Sequence, residues 1–338
     1  MINIIKSEEL LFDDVIKLIP KDIWNSPDYS DRCYDYYAQR PTDEGGTVRD
    51  CSFLISNEEE PLILFRGAIS QFEGRTNLEF SGVPCAVFEF KRNWTGKTKK
   101  IFHNECNQIF EKINGTIWYR DFLIRGAISP LTTLLLKSGA KATPRLSQII
   151  DLTEDKALLW KQIRKSYSSL INNGLRDMDP EIMDSKTITW QKMQEFRNLH
   201  IRESGRETRS EESWKRQFEM VKADEVFVIF GTFKNKLVTA GLFSYNKTNC
   251  LYWVSTSRRD LFNKPLFHAI MWTAILHAKE LGCKWFEVGE QLYPNHPSEK
   301  PPTKKELGIS EFKAGFGGQT RMFLDLKLDC SGGKSNAR

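Results

Sequence analysis

A chain of 338 residues, 40% hydrophobic and 28% charged, has the composition of a soluble globular protein long enough for two domains. Its net charge of +5 permits a local anionic partner but does not call for nucleic acid, and no DNA partner is expected. No run approaches the ~18 apolar residues of a membrane span. The N-terminal MINIIKSEEL lacks the basic-then-apolar order of a signal peptide, so a cytoplasmic location is expected.

In chain order, INII reads as a short strand, and SEELLFDDVIKLI as a helix capped by Ser7 and stopped by Pro20. CSFLIS and PLILFRGAIS are strands about an acidic turn, and GVPCAVFEF is a third. KTKKIFHNECNQIFEKIN spaces its apolar residues as an amphipathic helix. GTIWYRDFL follows as a strand, and SPLTTLLLKSGA as a helix between Pro130 and Gly139. RGAIS occurs at Arg66 and again at Arg125, without flanking similarity, and is read as coincidence rather than as a repeat.

A domain boundary is expected in residues 143–153, with a strand, SQIIDL, running across it; the domains are placed at 1–148 and 149–329, with a disordered tail at 330–338. EDKALLWKQIRKSYSSLINNGL reads as one helix capped by Thr153. Its Lys161, Arg164, Lys165 and Arg176, unrelieved by acids, form either a solvated face or a polyanion patch. TWQKMQEFRNLHIRES and SEESWKRQFEMVKA are helices. VFVIFGTF, LVTAGLFSY and CLYWVSTS are strands joined by the hairpin turns KNK and NKTN. KPLFHAIMWTAILHAKELG is apolar almost all round and so is a helix buried on a sheet, with His268 and His277 structural; KWFEVGE is a strand after it. The fold class is α/β (α+β), a mixed sheet with helices on its faces.

Seven widely spaced cysteines without a CxxC argue for reduced thiols, and five histidines show no metal-ligand spacing with them, so no metal is expected. P-loop, GxSxG, HExxH and EF-hand patterns are absent. The most informative stretch is Gly308–Gly318, GISEFKAGFGG. Its glycines allow close approach or positive φ. Phe312 and Lys313 set a flat apolar face beside a cation, suited to a ring or acyl chain with a polarised oxygen; a helix end before an edge strand is the plainer reading. The loop HIRESGRETRSEESW gathers His200, Arg202, Arg206 and Arg209, whose forks suit phosphate or carboxylate, or simply local salt bridges. Trp253, Tyr252 and Tyr293 are candidates to stack on a sugar or base, or to pack a core.

This element order, ending in GISEFKAGFGG, resembles the FemAB family of peptidyl and aminoacyl transferases. The matching residues are IDLTEDKALLWKQIRKSYSSLINNGL, RETRSEESW, Leu251 to Glu290 and Gly308 to Gly318. The resemblance is good over roughly 145–328 and covers the first half by element order only. It implies two tandem acyltransferase-like domains of the GNAT type. The implied activity is N-acyl transfer: an acyl or aminoacyl group passes to an amine of a cell-envelope or surface-glycan precursor, such as a nucleotide-linked amino sugar or a peptidoglycan precursor. Acyl-CoA or aminoacyl-tRNA would be a co-substrate, with no tightly bound cofactor. The resemblance puts Phe312 and Lys313 in the donor channel. Lys313 is a candidate to stabilise the developing negative charge or to hold a donor phosphate, the plainer reading being a solvated lysine at a helix end.

Amide formation also needs a proton acceptor. Glu287 and Glu290, at the end of KWFEVGE, are the candidates, the alternative being carboxylates paired to a cation. At the start of the long helix RRDLFNKPLF has no glycine for a pyrophosphate loop, but Arg258, Arg259 and Lys264 add charge to a helix N-terminus there. No long heptad hairpin is present, and some aminoacyl-tRNA-using relatives carry one. The other readings are an aminoacyl-tRNA-dependent peptidyltransferase, for which transfer RNA would be a partner, and a non-catalytic sugar-nucleotide-binding module.

Overall fold

A computed structural model describes residues 2–9, 14–15, 18–19, 25–58, 60–90, 94–261, 264–297 and 301–331. The helix expected over SEELLFDDVIKLI, and the tail from residue 332, lie largely or wholly outside these residues. The chain forms two compact units: Met1–Arg145 together with Met322–Arg338, and Leu146–Arg321. The last strand, expected wholly in the second domain, thus belongs from Met322 onward to the first unit.

In the first unit come β1 (Ile2–Lys6), α1 (Asp31–Asp43), β2 (Thr47–Asp50), β3 (Phe53–Asn57), β4 (Glu60–Arg66), β5 (Ala68–Phe72), β6 (Arg75–Glu79), β7 (Cys85–Glu89), α2 (Gly96–Phe110), β8 (Thr116–Asp121) and α3 (Pro130–Lys137). Strands β1, β3, β4, β7 and β8 are successive neighbours, antiparallel except for β7 and β8. PLILFRGAIS is two strands and not one. It breaks at Gly67, β4 pairing with β3 and β7 while β5 pairs with β2 and β6. The second RGAIS copy forms a 3-10 turn at Ile124–Gly126, so the two copies take different conformations. Helix α1 and strands β2 and β6 were not read from the sequence; α1 carries an internal Pro41, which argues against a helix.

The core of this unit stacks Phe53 on Phe65, with ring centroids 5.2 Å apart, and tilts Phe102 against Phe53 at 5.6 Å. Arg66 is wholly buried, and a buried cation must be paired. Its guanidinium donates to the Asp31 carboxylate at 2.9 Å and to the Tyr29 carbonyl at 3.1 Å, and lies over the Phe80 ring.

The second unit is entered along β9 (Lys141–Asp151). It continues through α4 (Lys156–Gln162), α5 (Lys165–Asp177), β10 (Asp179–Met183), α6 (Trp190–Ser204), α7 (Glu211–Lys222), β11 (Val226–Phe233), β12 (Lys236–Tyr245), β13 (Asn249–Ser257), α8 (Leu266–Glu280), β14 (Trp285–Glu290) and α9 (Lys304–Ala314), and ends in β15 (Gln319–Asp329). The strand order is β9-β14-β13-β12-β11-β10, and only β13 and β14 run parallel. Alternation along β11 sends Phe227 and Ile229 into the core beneath α8, while Phe230 turns to Phe196 of α6. Lys234 and Asn235, both at positive φ, make the two-residue hairpin turn read from KNK.

The helix expected from Glu154 to Leu175 is two helices. Asp155, not Thr153, caps the first by accepting from the Leu158 N–H at 2.8 Å; the Thr153 hydroxyl is bound to Asp151. The break falls at Ile163–Arg164, where the Arg164 N–H donates to the Gly315 carbonyl at 2.9 Å instead of continuing the helix. Among the described residues no helix is long and apolar enough to cross a membrane, and no cluster of metal-ligating side chains occurs.

Candidate active site

The parallel pair β13 and β14 stays together over only three residues a side, Asn249–Leu251 against Trp285–Glu287. Opposite β12 the register of β13 shifts between Val254 and Tyr252, so Trp253 is an extra, bulged residue. Bulges bend a strand and recur beside binding sites. Beyond this point β13 runs on to Ser257 with its side chains lining a cleft of ≈ 590 Å³. That volume is within the range of small-molecule sites, and the ends of parallel strands are where ligands gather in α/β sheets.

Four elements wall the cleft. From β13 come Tyr252, Ser255, Thr256 and Ser257. The end of α6 adds His200, Glu203 and Ser204. Arg259, Lys264 and the first turn of α8 (Leu266, Phe267 and His268) form the third side. Helix α9 closes the fourth with Lys305, Ile309 and Phe312. The cleft is therefore two-sided in chemistry. Rings and aliphatics of α8 and α9 face hydroxyls of β13 and the polar end of α6.

Local sequence explains each wall. Thr189 caps α6 and Gly205 ends it in the left-handed region, so His200 and Glu203 share the last turns of one face. The Glu203 carboxylate accepts from the Arg259 N–H at 2.9 Å and pairs with Arg202 at 2.8 Å, tying α6 to the segment that leads into α8. Helix α8 begins at Pro265 without a side-chain cap, so its first N–H groups are served by no capping side chain. Thr303 and Glu306 form a capping box that starts α9. At its other end Gly315 is obligatory: a Cβ there would sit 2.2 Å from the Tyr167 ring. Phe312 is thereby held against Phe316, His268 and Tyr167, with centroids 5.1, 5.2 and 6.1 Å away.

Of the residues picked from sequence, Phe312, His200, Tyr252, Arg259 and Lys264 line the cleft. Lys264 lies 3.7 Å from the Asp177 carboxylate and over the Phe233 ring. Lys313, next to Phe312 on the helix, points elsewhere: its Nζ donates to the Glu290 carbonyl at 3.3 Å and rests where Gly289 has no side chain. Glu287 is buried, but it accepts from the Ser147 hydroxyl at 2.6 Å and is not a wall of the cleft. Glu290 and Tyr293 are likewise off the wall; Tyr293 is exposed. Arg258 is paired to Asp260, and Arg206 is an exposed loop residue; neither reaches the cleft, nor does Trp253.

Sequence reasoning missed Glu203, the Ser255–Ser257 run, Lys305 and Ile309 as wall residues. It also took His268 for a structural residue, and the structure places it on the cleft wall. A serine and threonine run in an otherwise apolar strand was the available signal.

Two histidines face this space, and the surroundings of both favour the uncharged ring. Burial lowers the His268 pKa from 6.5 to about 4. Burial, and then the nearby Arg209, lower that of His200, whose Nε2 is 3.4 Å from Arg209 Nη1. Burial raises the Tyr252 phenol, which is hydrogen-bonded to Ser255.

This architecture, two units each carrying a mixed sheet with flanking helices, is a tandem GNAT-type fold. No family model matches the sequence, and no curated protein matches it either. Among solved structures, FemX aligns with a TM-score of 0.65 at 11% identity, over 94% of this chain and 95% of that one. L-PGS from Bacillus licheniformis aligns at 0.53 and 9% identity, over 90% and 93%. A tandem GNAT protein from the clavulanic acid biosynthesis pathway aligns at 0.51 and 11% identity, over 99% and 100%. At these identities the likeness is one of fold.

Proposed function

We propose that the protein is an N-acyltransferase: it passes an activated acyl or aminoacyl group to an amine of a cell-envelope or surface-glycan precursor. The observation that carries this reading is the two-sided cleft at the parted ends of β13 and β14. Its cationic edge, Arg259, Lys264 and Lys305 beside the uncapped start of α8, suits a phosphate-bearing carrier. The apolar wall, Phe267, Ile309 and Phe312, suits the carrier's arm or the acyl group. The hydroxyls of Ser204, Ser255 and Ser257 suit a hydroxyl-rich acceptor such as an amino sugar. Lys313 takes a positioning part in this reading, fixing the end of β14 to α9 through the Glu290 carbonyl. The FemX and tandem GNAT likenesses support the class of reaction through the fold they share with this chain.

The reaction joins the amine nitrogen to the acyl carbon and breaks that carbon's bond to the carrier. The amine's proton leaves with the departing sulphur or oxygen. The test is a panel of acyl-CoA and aminoacyl-tRNA donors with nucleotide-linked amino sugars and peptidoglycan-precursor peptides as acceptors, read by mass. An acyl mass gain on an acceptor is expected, with Phe312→Ala losing about tenfold or more in kcat/KM by opening the apolar wall. Ribonuclease sensitivity would assign the donor to transfer RNA. Tight binding of a nucleotide sugar with no mass gain across the panel would replace this reading by a non-catalytic sugar-nucleotide-binding module.

A further inference from the structure

Resting on the acyl-transfer reading above, we propose that His268 is a catalytic residue. Its neutral imidazole donates a hydrogen bond to the carbonyl oxygen on which negative charge develops as the amine adds.

Three observations converge on it. First, position: His268 is in the first turn of α8 and lines the cleft beside Phe312. Second, surroundings: its ring is wedged edge-on against Tyr167 at 4.6 Å and Phe312 at 5.2 Å, and tilted on Phe316 at 6.0 Å. Packing of this kind fixes the ring's plane, which a hydrogen-bond donor to a transient oxyanion requires. Third, availability: among the described residues its nitrogens meet no polar partner, and its neighbours are these rings. The ring is half-buried on the cleft wall, so a ligand in the cleft can take up its free hydrogen-bonding capacity. Lys313, the residue expected from sequence to meet the oxyanion, is turned to the Glu290 carbonyl, so the electrophilic part falls to a group on the wall.

The charged and titratable groups about the ring are consistent with a neutral donor. Lys264 and Arg259 precede α8, Lys305 is on α9, Glu203 and His200 are on α6, and the Tyr167 phenol is on α5. Burial disfavours an imidazolium. An imidazole that stays neutral can act as an electrophile without first being protonated. In the step itself the carbonyl π pair moves onto oxygen as the N–C bond forms. The His268 N–H is shared with that oxygen and not transferred. When the carbonyl re-forms and the bond to the carrier breaks, the hydrogen bond relaxes.

The experiment uses the full chain and the best donor–acceptor pair from the panel, with His268→Ala and His268→Gln. Gln keeps an N–H donor near the imidazole nitrogen, and Ala does not. The expected result for Ala is a loss of about 10²–10³ in kcat, the cost of removing one oxyanion donor. KM should stay within about threefold, and the shape of the pH–rate profile should be unchanged, because no proton is exchanged. Gln should recover at least tenfold of the loss. Near-wild-type kcat in the Ala variant would overturn the proposal. So would Gln being as inactive as Ala, or a titration limb that disappears from the pH profile with the ring, which is the mark of a proton acceptor. An inactive wild type would overturn the acyl-transfer reading and this inference together. An active wild type with an equally active Ala variant would sink only the role of His268.

Discussion

Single side chains decide what the cleft can do, and the acid stability of the fold tests one of them. Burial holds the His268 imidazole down at about 4, below the 6.5 of a ring in water. Between these values the unfolded chain binds a proton that the folded chain refuses. Stability is therefore complete above about pH 6.5 and is lost as pH falls toward 4. The His268→Gln variant should show a smaller drop in Tm between pH 7.5 and 5 than the wild type; equal drops would mean the ring is not held neutral. At this scale the sequence showed residue type well and direction poorly. The Phe312–Lys313 pair was legible as a pair. Neighbours on a helix point about 100° apart, however, and nothing local says which of two will meet a cavity. Glu287 was legible as a buried strand residue, but its partner, Ser147, is 140 residues away in sequence.

Elements are positioned by close approaches that residue identity records only indirectly. Gly174 sits inside α5, where a glycine costs about 1 kcal/mol against alanine. A Cβ there would lie 2.8 Å from the Ala269 Cβ and 3.1 Å from the Pro265 carbonyl, so α5 passes directly over the start of α8. Gly174→Val should lower stability by about 1–3 kcal/mol or more in urea unfolding, and should weaken donor binding because it pushes the first turn of α8. An unshifted midpoint would mean that the two helices part freely. Here the sequence was legible in its periodic parts: α6, α7, α8 and the β11–β13 hairpins fall where the apolar pattern and the turn residues put them. It was not legible at the α4–α5 break. No proline or glycine marks Ile163–Arg164, and the bond that ends α4 there is to Gly315, far along the chain. The α1 helix was hidden by its own Pro41, and β6 by a run, RTNLE, with little β-branched or aromatic content.

For the whole molecule, the boundary expected in residues 143–153 stands beside compact units that change over between Arg145 and Leu146, and the final strand from Met322 onward belongs to the first unit. Leu324–Asp329 pair with β8, and Leu326 is fully buried in the core of the first unit. Arg120 and Asp325 lock the same strand pair with two hydrogen bonds of 2.6 and 2.7 Å. A fragment of residues 1–148 should accordingly leave one edge of β8 bare and associate through it. Sedimentation should find it aggregated, and a peptide of residues 319–331 should return it toward a monomer. A folded monomer without the peptide would contradict this strand's role. A polypeptide leaves the ribosome from its N-terminus, and most domains close as they emerge. This one has to wait: its first unit lacks a core strand until residue 329 has been translated.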